Sequence, residues 1–514
     1  MSVHQSPDIQ NKIKQLDDLA MVRAEFKASG HCVVHCHGVF DLVHPGHIRH
    51  LTAAKQEGDV LIVTITPDHY VTKGPHRPAF SEELRAENLA SLQQVDYVAV
   101  NQGPTAADAI SRLEPDVYAT GARQPSSHKT TAKEFDDEET AVRSVGARMH
   151  FTNDLTFSSS KLLNSFLPVY PPEVDTYLQD CRSRYTIDDI VKMLDVLAEL
   201  RVMVVGETIL DEYIYGDVIG KSSKEPILAL KYSSRETHAG GSVAIANHLA
   251  NFCRNVELVT YLGQQDSRED FIRDRLHDNV NPSFVYKPDS PTIVKRRYVD
   301  SYLVTKLLEV YEMNDQPLDG NAERSLCSLL ANQLPTSDMV IAADYGHGLI
   351  TPQAVSVLCQ KAKFLAVNTQ INAANNGFHA LSKYPHAEYV CVHEGELRLD
   401  QRDQSSDLRQ LVLRVADRMG SRSVMVTRGK RGTLLYNSDL GFSECPGLSM
   451  KVVDRVGAGD SVLAISSLCA AQELPPDVTG LLANMVGAQA VTVVGNRTAI
   501  SRGQLLDAIE SVLK

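Results

Sequence analysis

Apolar positions along this chain recur in two alternating rhythms. Short β-branched runs read as strands: Cys32–Cys36, Asp59–Thr66, Tyr97–Val100 and Asp116–Ala119. Between them lie segments whose apolar residues recur every three or four positions, which predicts helices after His47, over Ser81–Leu92 and over Thr105–Leu113. An opening amphipathic helix is expected from Ile9 to Ser29, with Gly30 as its stop. Strand, helix and strand of this length pair in parallel, so residues 1–165 are predicted to form a doubly wound α/β domain. Pro168, Pro171 and Pro172 then interrupt the pattern, and residues 166–185 read as a Pro-rich linker. Beyond it, Thr186 should cap a helix carrying Ile190, Met193, Leu194 and Leu197 on one face. Val202–Gly206 opens a second α/β domain over 186–514. Its further apolar strands are Met339–Ala343, Phe364–Val367, Tyr389–Val392 and Val424–Thr427. No internal repeat of fixed period is visible.

Composition narrows the class. A chain of 514 residues is too long for one ordinary domain, and 43% hydrophobic with 22% charged residues is the balance of a globular protein. A net charge of −13 argues against broad nucleic-acid binding. No apolar run is long enough to span a bilayer, and Met1–Gln5 lacks the basic head of a secretory signal. Nine scattered cysteines without Cys-x-x-Cys spacing suit reduced thiols, so a cytoplasmic location is expected. Cys32, His35, Cys36 and His37 crowd within six residues, but a strand sends alternate side chains to opposite faces, which keeps them from converging on one ion.

The candidate chemistry begins at Gly38-Val-Phe40-Asp41-Leu-Val-His44-Pro-Gly46-His47, where a strand hands over to a helix. Backbone N–H groups at such a turn favour anions, and two imidazoles there can bond phosphate oxygens and offset charge in a transition state. The stretch resembles the His-x-Gly-His signature of the cytidylyltransferase-like nucleotidyltransferases. That resemblance implies attack of a substrate phosphate on the α-phosphorus of ATP or CTP, with release of pyrophosphate. In that scheme His44 and His47 sit beside the phosphates, and Gly38, Phe40, Asp41 and Gly46 line the nucleotide. Lys55 matches a lysine that reaches the phosphates. Lys73-Gly74, Arg77-Pro78, Leu84-Arg85-Ala86-Glu87 and Val95–Val98 follow the order seen in the adenylyltransferase half of the bifunctional heptose kinase/adenylyltransferases, which implies substrate contacts for Arg77 and Arg85. Ser158, Ser159 and Ser160 resemble a late hydroxyl cluster near the nucleotide, and serve equally as a helix cap. Thr120-Gly121-Ala122-Arg123 departs from the family's Lys-Gly-x-Asp-Tyr; Arg123 and Lys129 are the available replacements for its lysine.

Asp454-Arg-Val-Gly457-Ala458-Gly459-Asp460 precedes an apolar helix. Glycines at a helix start make an anion hole, and an aspartate there can accept a hydroxyl proton during γ-phosphoryl transfer. With Asp211, Gly240-Gly241 and Thr427-Arg-Gly429-Lys-Arg-Gly432 upstream, the segment resembles the ribokinase-like (PfkB) sugar kinases. The resemblance implies Asp460 as base, Gly457–Gly459 as anion hole, and Thr427, Gly429, Gly432 and Asn484 at ATP. It further implies Asp211, Gly240, Gly241, Lys295 and Asp344 at the sugar, and Glu396 holding Mg2+ through water. A small β lid near Tyr213–Tyr232 and a homodimer are implied as well. Ala244, His347, Asn368, His393 and Arg455-Val456 depart from the family pattern. The two domains together read as a bifunctional enzyme of nucleotide-activated sugar synthesis, taking a sugar or sugar phosphate, heptose-like, and nucleoside triphosphates. The alternative is an active nucleotidyltransferase fused to a catalytically silent sensing domain.

Overall fold

The structure, a computed structural model, describes residues 7–71, 78–121, 129–152, 170–302, 305–373, 375, 379–449 and 452–513. It divides into two compact units, residues 1–175 with 506–514, and residues 176–505.

The first unit holds a five-stranded sheet: β1 (Val33–Gly38), β2 (Val60–Ile65), β3 (Tyr97–Val100), β4 (Val117–Gly121) and β5 (Arg148–Thr152). Their order is β3-β2-β1-β4-β5, with every pair parallel. The order reverses between β1 and β4, and ligands bind open α/β sheets at the carboxyl ends of strands flanking such a reversal. Alternation along β1 sorts its side chains. Val34 and Cys36 pack with Leu61, Val63 and Leu51, whereas Val33 packs on the other face with Val60 and Ile62. His35 and His37 share that second face, where both reach the Thr64 hydroxyl at 2.8 Å. The Cys–His cluster is thereby split across the sheet.

Two expectations change here. The opening helix is two helices, Pro7–Lys12 and Leu16–Ala28, because Ile13 leaves the helix to bridge Val98, and Lys14 N–H donates to the Val98 carbonyl. The segment expected as a linker contains a helix, Pro172–Arg184. Proline at the first helical position costs no hydrogen bond, so Pro172 starts a helix where it was expected to prevent one.

The second unit is built on a nine-stranded sheet. Its members are β6 (Val202–Gly206), β9 (Val256–Gly263), β10 (Val280–Lys287), β13 (Met339–Asp344), β14 (Leu365–Thr369), β15 (Tyr389–His393), β16 (Ser423–Thr427), β17 (Thr433–Asn437) and β18 (Gly441–Cys445). They lie in the order β10-β9-β6-β13-β14-β15-β16-β17-β18. Pairing is parallel from β10 to β16 and antiparallel at β17 and β18. The central strands are buried along nearly their whole length, as a parallel sheet covered on both faces requires. Ser242–Ala250, Ala458–Ala471 and Pro476–Ala490 are correspondingly apolar around most of their circumference. The predicted Thr186 cap forms a capping box with Asp189.

A separate four-stranded sheet is formed by β7 (Thr208–Lys221), β8 (Leu228–Gly241), β11 (Ile293–Asp300) and β12 (Thr305–Glu312), in the order β12-β11-β7-β8. It is larger than the Tyr213–Tyr232 lid expected from sequence, because each hairpin strand runs 14 residues and two later strands join it. Among the described residues no helix is long and apolar enough to cross a membrane.

Candidate functional sites

In the first unit the signature lies at the carboxyl end of β1. His44 is the N-cap of the helix Pro45–Lys55, and its Nδ1 accepts a hydrogen bond from Gly46 N–H at 3.1 Å. That bond puts the proton of a neutral His44 on Nε2. This nitrogen is buried and has no hydrogen-bond partner among the described residues. Burial also lowers the His44 pKa, favouring the neutral ring. His47 stacks on it, with centroids 3.9 Å apart and planes 26° from parallel. His47 Nδ1 lies 3.1 Å from the Leu42 carbonyl, which makes Nδ1 the donor. An aimed donor at a helix start is the arrangement an anionic oxygen fits.

The turn itself is strained and braced. Phe40 has φ +47°, uncommon for a residue with a side chain, and its ring meets His47 edge-on at 5.2 Å. A Cβ on Gly38 would stand 3.1 Å from that ring. Asp41, expected at the nucleotide, instead accepts from Ala79 N–H at 2.7 Å and Phe80 N–H at 3.1 Å, pinning the following segment beneath the turn.

Two expected contacts are overturned. Arg85 is fully buried, and its guanidinium donates to the carbonyls of Phe80, Val39 and Thr66 and to Asp68 Oδ1, at 2.6–3.1 Å. Its donors hold the backbone of the signature turn, so it is a brace and not a substrate contact. Lys55 ends the helix that His44 begins, roughly 16 Å along its axis. Its ammonium bonds the Asp59 carbonyl and Asp96 Oδ2, each at 2.5 Å, at the amino ends of β2 and β3. It stands at the wrong edge of the sheet to reach a phosphate beside His44. Sequence reasoning passed over His50, whose Nδ1 lies 2.7 Å from Thr152 Oγ1 at the carboxyl end of β5. The helical spacing His44, His47, His50 was the available signal. Arg77, Arg123, Ser158, Ser159 and Ser160 lie outside the described residues.

In the second unit a cavity of about 600 Å³ opens at the carboxyl ends of β14, β15 and β16. Asp460 and Gly459 line it together with Thr427, Gly429, Gly432, Ala458, Asn484 and Glu396, so residues scattered over 89 positions of sequence meet in one place. The volume suits a nucleotide. Gly457 is the N-cap of Ala458–Ala471 at φ +84°, and a Cβ there would lie 1.9 Å from Asn496 Oδ1. Gly432, at φ +79°, has equally little room, since a Cβ on it would lie 2.0 Å from the Cys445 carbonyl oxygen. Asn484 donates to Thr433 Oγ1 and to the Gly480 carbonyl, both at 2.8 Å. Glu396 accepts from His393 N–H at 2.7 Å and Ile371 N–H at 3.1 Å, yet burial raises its pKa to about 7.

Asp460 receives the Tyr345 hydroxyl at 2.8 Å. Burial, with Asp211 adding repulsion, lifts its pKa to about 6, while Tyr345 and Lys295 hold it from rising further. Across the four-stranded sheet, register aligns Tyr311, Lys295, Asp211 and His238 in one row. Lys295 is buried, with Nζ 5.2 Å from the Tyr311 ring centroid, and burial lowers its pKa. Asp211 pairs with Arg297 at 2.5 Å and accepts from Asn496 Nδ2 at 3.4 Å. Gly240 leaves room for it: a Cβ would lie 2.2 Å from Asp211 Oδ2. Gly241, at φ +60°, turns the chain into the helix Ser242–Ala250.

Asp344 does not present a free carboxylate to a sugar. Lys383 Nζ at 2.6 Å, Tyr384 OH at 2.7 Å and Gly346 N–H at 3.2 Å occupy it, at the end of a buried strand whose turn needs those acceptors. Arg297, Asn496 and Tyr345 are the neighbours that sequence reasoning missed. Only Tyr345 stood inside a recognisable motif; the other two carry no pattern of their own.

Residues 35–173 match the description cytidylyltransferase-like. The bifunctional protein HldE of Koribacter versatilis is 29% identical over 312 residues, 60% of this chain and 63% of that protein. HldE of Nitrobacter winogradskyi is 27% identical over 307 residues, 58% and 61% respectively. The chain therefore spans less than two thirds of the curated relatives it matches. Phosphofructokinase-2 from Escherichia coli, in complex with substrates and products, shares the fold, at TM-score 0.51 and 14% identity over 61% of this chain and all of that one. The description pfkB family carbohydrate kinase matches residues 199–502, well over half of the sequence, and the chain belongs to that family.

Proposed function

We propose that the chain is a bifunctional transferase of nucleotide-activated sugar synthesis. The second unit phosphorylates a sugar or sugar phosphate, heptose-like, with ATP; the first transfers a nucleotidyl group from ATP or CTP to a sugar phosphate and releases pyrophosphate. The observation that carries the kinase half is Asp460. It is a carboxylate with a pKa raised to about 6, at the junction of a nucleotide-sized cavity and the anion-hole turn. Such a group is ionised at neutral pH and basic enough to take a hydroxyl proton as the γ-phosphoryl is attacked in line. The His44–His47 stack, with one nitrogen buried and unanswered, supports the other half. In both sites the residues position groups and neutralise charge, and neither reaction needs a covalent intermediate.

Glu396 and Asn368 line the same cavity and offer hard oxygens. This fits Mg2+ held mainly by water and nucleotide phosphates, where it supplies positive charge for phosphoryl transfer. Leu308 and Val310 stand exposed on edge strand β12, and Ile219, Ile227 and Leu228 near the turn of the β7–β8 hairpin, apolar side chains that a second copy of the chain could cover. Sedimentation as a monomer at micromolar concentration would count against the homodimer.

A second reading has support in the pairing of Asp211 with Arg297 and the full use of Asp344, which leave both carboxylates already partnered by the protein itself. It makes the second unit a binding module without turnover. The deciding experiment screens nucleoside triphosphates against a panel of sugars, sugar 1-phosphates and other sugar phosphates, following pyrophosphate and ADP separately. ADP formation abolished by Asp460→Asn supports the kinase. Pyrophosphate release with no ADP from any acceptor supports the module, and neither product refutes both.

A further inference from the structure

We propose that Lys306 is a positioning residue for the anion-hole turn, its ammonium fastening the lid sheet to that turn through the Asp454 carboxylate. Asp454 is buried, and four donors converge on it. Oδ1 accepts from Lys306 Nζ at 2.5 Å and from Val456 N–H at 3.2 Å. Oδ2 accepts from the Tyr213 hydroxyl at 2.7 Å and Gly495 N–H at 3.1 Å. Those donors come from four segments: β12, the turn itself, β7, and the loop that carries Asn496. Lys306 is the one cation that pairs with this carboxylate among the described residues.

The geometry gives the pair more than a share of stability. Val456 N–H precedes Gly457, whose φ of +84° sets the start of Ala458–Ala471 and the direction of its first N–H groups. Gly495, at φ +55°, packs against the Tyr213 ring and is followed by Asn496. Asn496 touches Gly457 on one side and bonds Asp211 on the other. One carboxylate thus holds the anion-hole turn, the Asn496 loop and two lid strands in register with one another. A positive charge beside a buried carboxylate offsets part of the cost of burying it, and Lys306 supplies that charge here. Without Lys306 the buried Asp454 carboxylate is left with neutral donors alone, and the turn keeps β7 through Tyr213 but loses β12.

This inference rests on the kinase reading, and its test separates the two. Full-length Lys306→Ala is assayed for ADP formation with the acceptor that works for the wild-type chain, and its melting is followed in parallel. Ammonium or ethylammonium chloride is compared with tetramethylammonium chloride at equal ionic strength, because only the first two carry N–H donors. Lys306→Ala should lose about 100-fold in kcat, with the KM for ATP nearly unchanged. The N–H cations should restore at least about tenfold of that loss and raise the melting temperature, whereas tetramethylammonium does neither and the wild-type chain responds to none. Lys306→Met, which keeps the apolar stem, should behave alike, and Lys306→Met with Asp454→Asn should lose the response to N–H cations. Variants that melt and turn over without regard to cation overturn the tether. A wild-type chain that forms no ADP, with the melting response intact, leaves the tether standing and removes the kinase.

Discussion

Replacing Tyr345 by Phe deletes one oxygen from the kinase cleft and, with it, the 2.8 Å hydrogen bond to Asp460 Oδ1. The ring stays, and Tyr345 is only 2% exposed, so no bulk water stands ready to replace the hydroxyl. A hydrogen bond to a charged group contributes about 1.5–3 kcal/mol, and one pKa unit corresponds to about 1.4 kcal/mol. Losing the bond should therefore raise the Asp460 pKa by about one to two units above its present value of about 6. The assay is kcat/KM for ADP formation against pH, which reports the ionisation of the free enzyme. The wild-type profile should rise through an acid limb near pH 6 and level off; the Tyr345→Phe limb should lie at roughly 7 to 8, with a plateau close to the wild-type one. The sign carries over to stability. A carboxyl whose folded pKa exceeds its unfolded value binds protons better when folded, so its contribution is full below pH 4 and is lost as pH rises through 6. The substitution should extend that loss to higher pH. A limb that stays near 6 or moves down would refute Tyr345 as the group restraining Asp460, and a profile without an acid limb would refute Asp460 as the base.

Two further predictions concern the first unit. His44→Ala or His47→Ala should lower pyrophosphate-releasing turnover at least about 100-fold in a chain that circular dichroism shows to be still folded, although His44→Ala gives up the cap on Gly46 N–H at a cost of about 1 kcal/mol, whereas Lys55→Met should stay within about threefold of wild type. A near-normal His44 variant would sink the site, and a crippled Lys55 variant would sink its placement at the far edge of the sheet. Arg85→Met leaves the Val39, Thr66 and Phe80 carbonyls without their donor, which at about 1 kcal/mol each should cost about 3 kcal/mol in urea unfolding. A loss below about 1 kcal/mol would show that those carbonyls find water instead.

The strands were readable because burial on both faces leaves an unmistakable apolar run, as in Val202–Gly206 and Met339–Asp344. The two candidate turns, Gly38–His47 and Asp454–Asp460, stand out in the sequence because each packs its glycines and polar side chains within ten residues. What escaped was decided by tertiary partners. Nothing in the neighbourhood of Lys55 announces Asp96, 41 residues on, as its ion-pair partner. Asn496 meets Asp211 across 285 residues, and neither strand nor helix periodicity marks such a position. Asp41, Arg85 and Asp344 are expected at ligands because the family resemblance places them there. Each proves to be occupied by backbone groups or buried neighbours, since the sharp turns that build a site also leave polar groups needing partners.

His347 shows why a substitution can be legible while its consequence is not. His347 departs from the family pattern, and a basic residue type there suggests a positive charge beside the site. In the fold it is fully buried, and burial, reinforced by Lys295 and other cations nearby, drives its pKa down to about 3. The ring is neutral at any working pH, so it supplies none of the charge that a count of basic residues would credit to it. Positive charge facing Asp211 and Asp460 then falls to Lys295 and Arg297, separated by one residue on β11 and so on the same face. Arg297 is committed to Asp211 and Glu309, the latter at 2.8 Å, whereas Lys295 has an aromatic ring beneath it and a pKa lowered by burial. An anionic group on the acceptor would relieve that buried ammonium, and a neutral sugar would not. The acceptor panel should accordingly rank sugar phosphates above the matching sugars, and Lys295→Met should narrow the gap by raising KM for the phosphates alone. Equal preference in the wild-type chain would show that Lys295 is satisfied by its own neighbours.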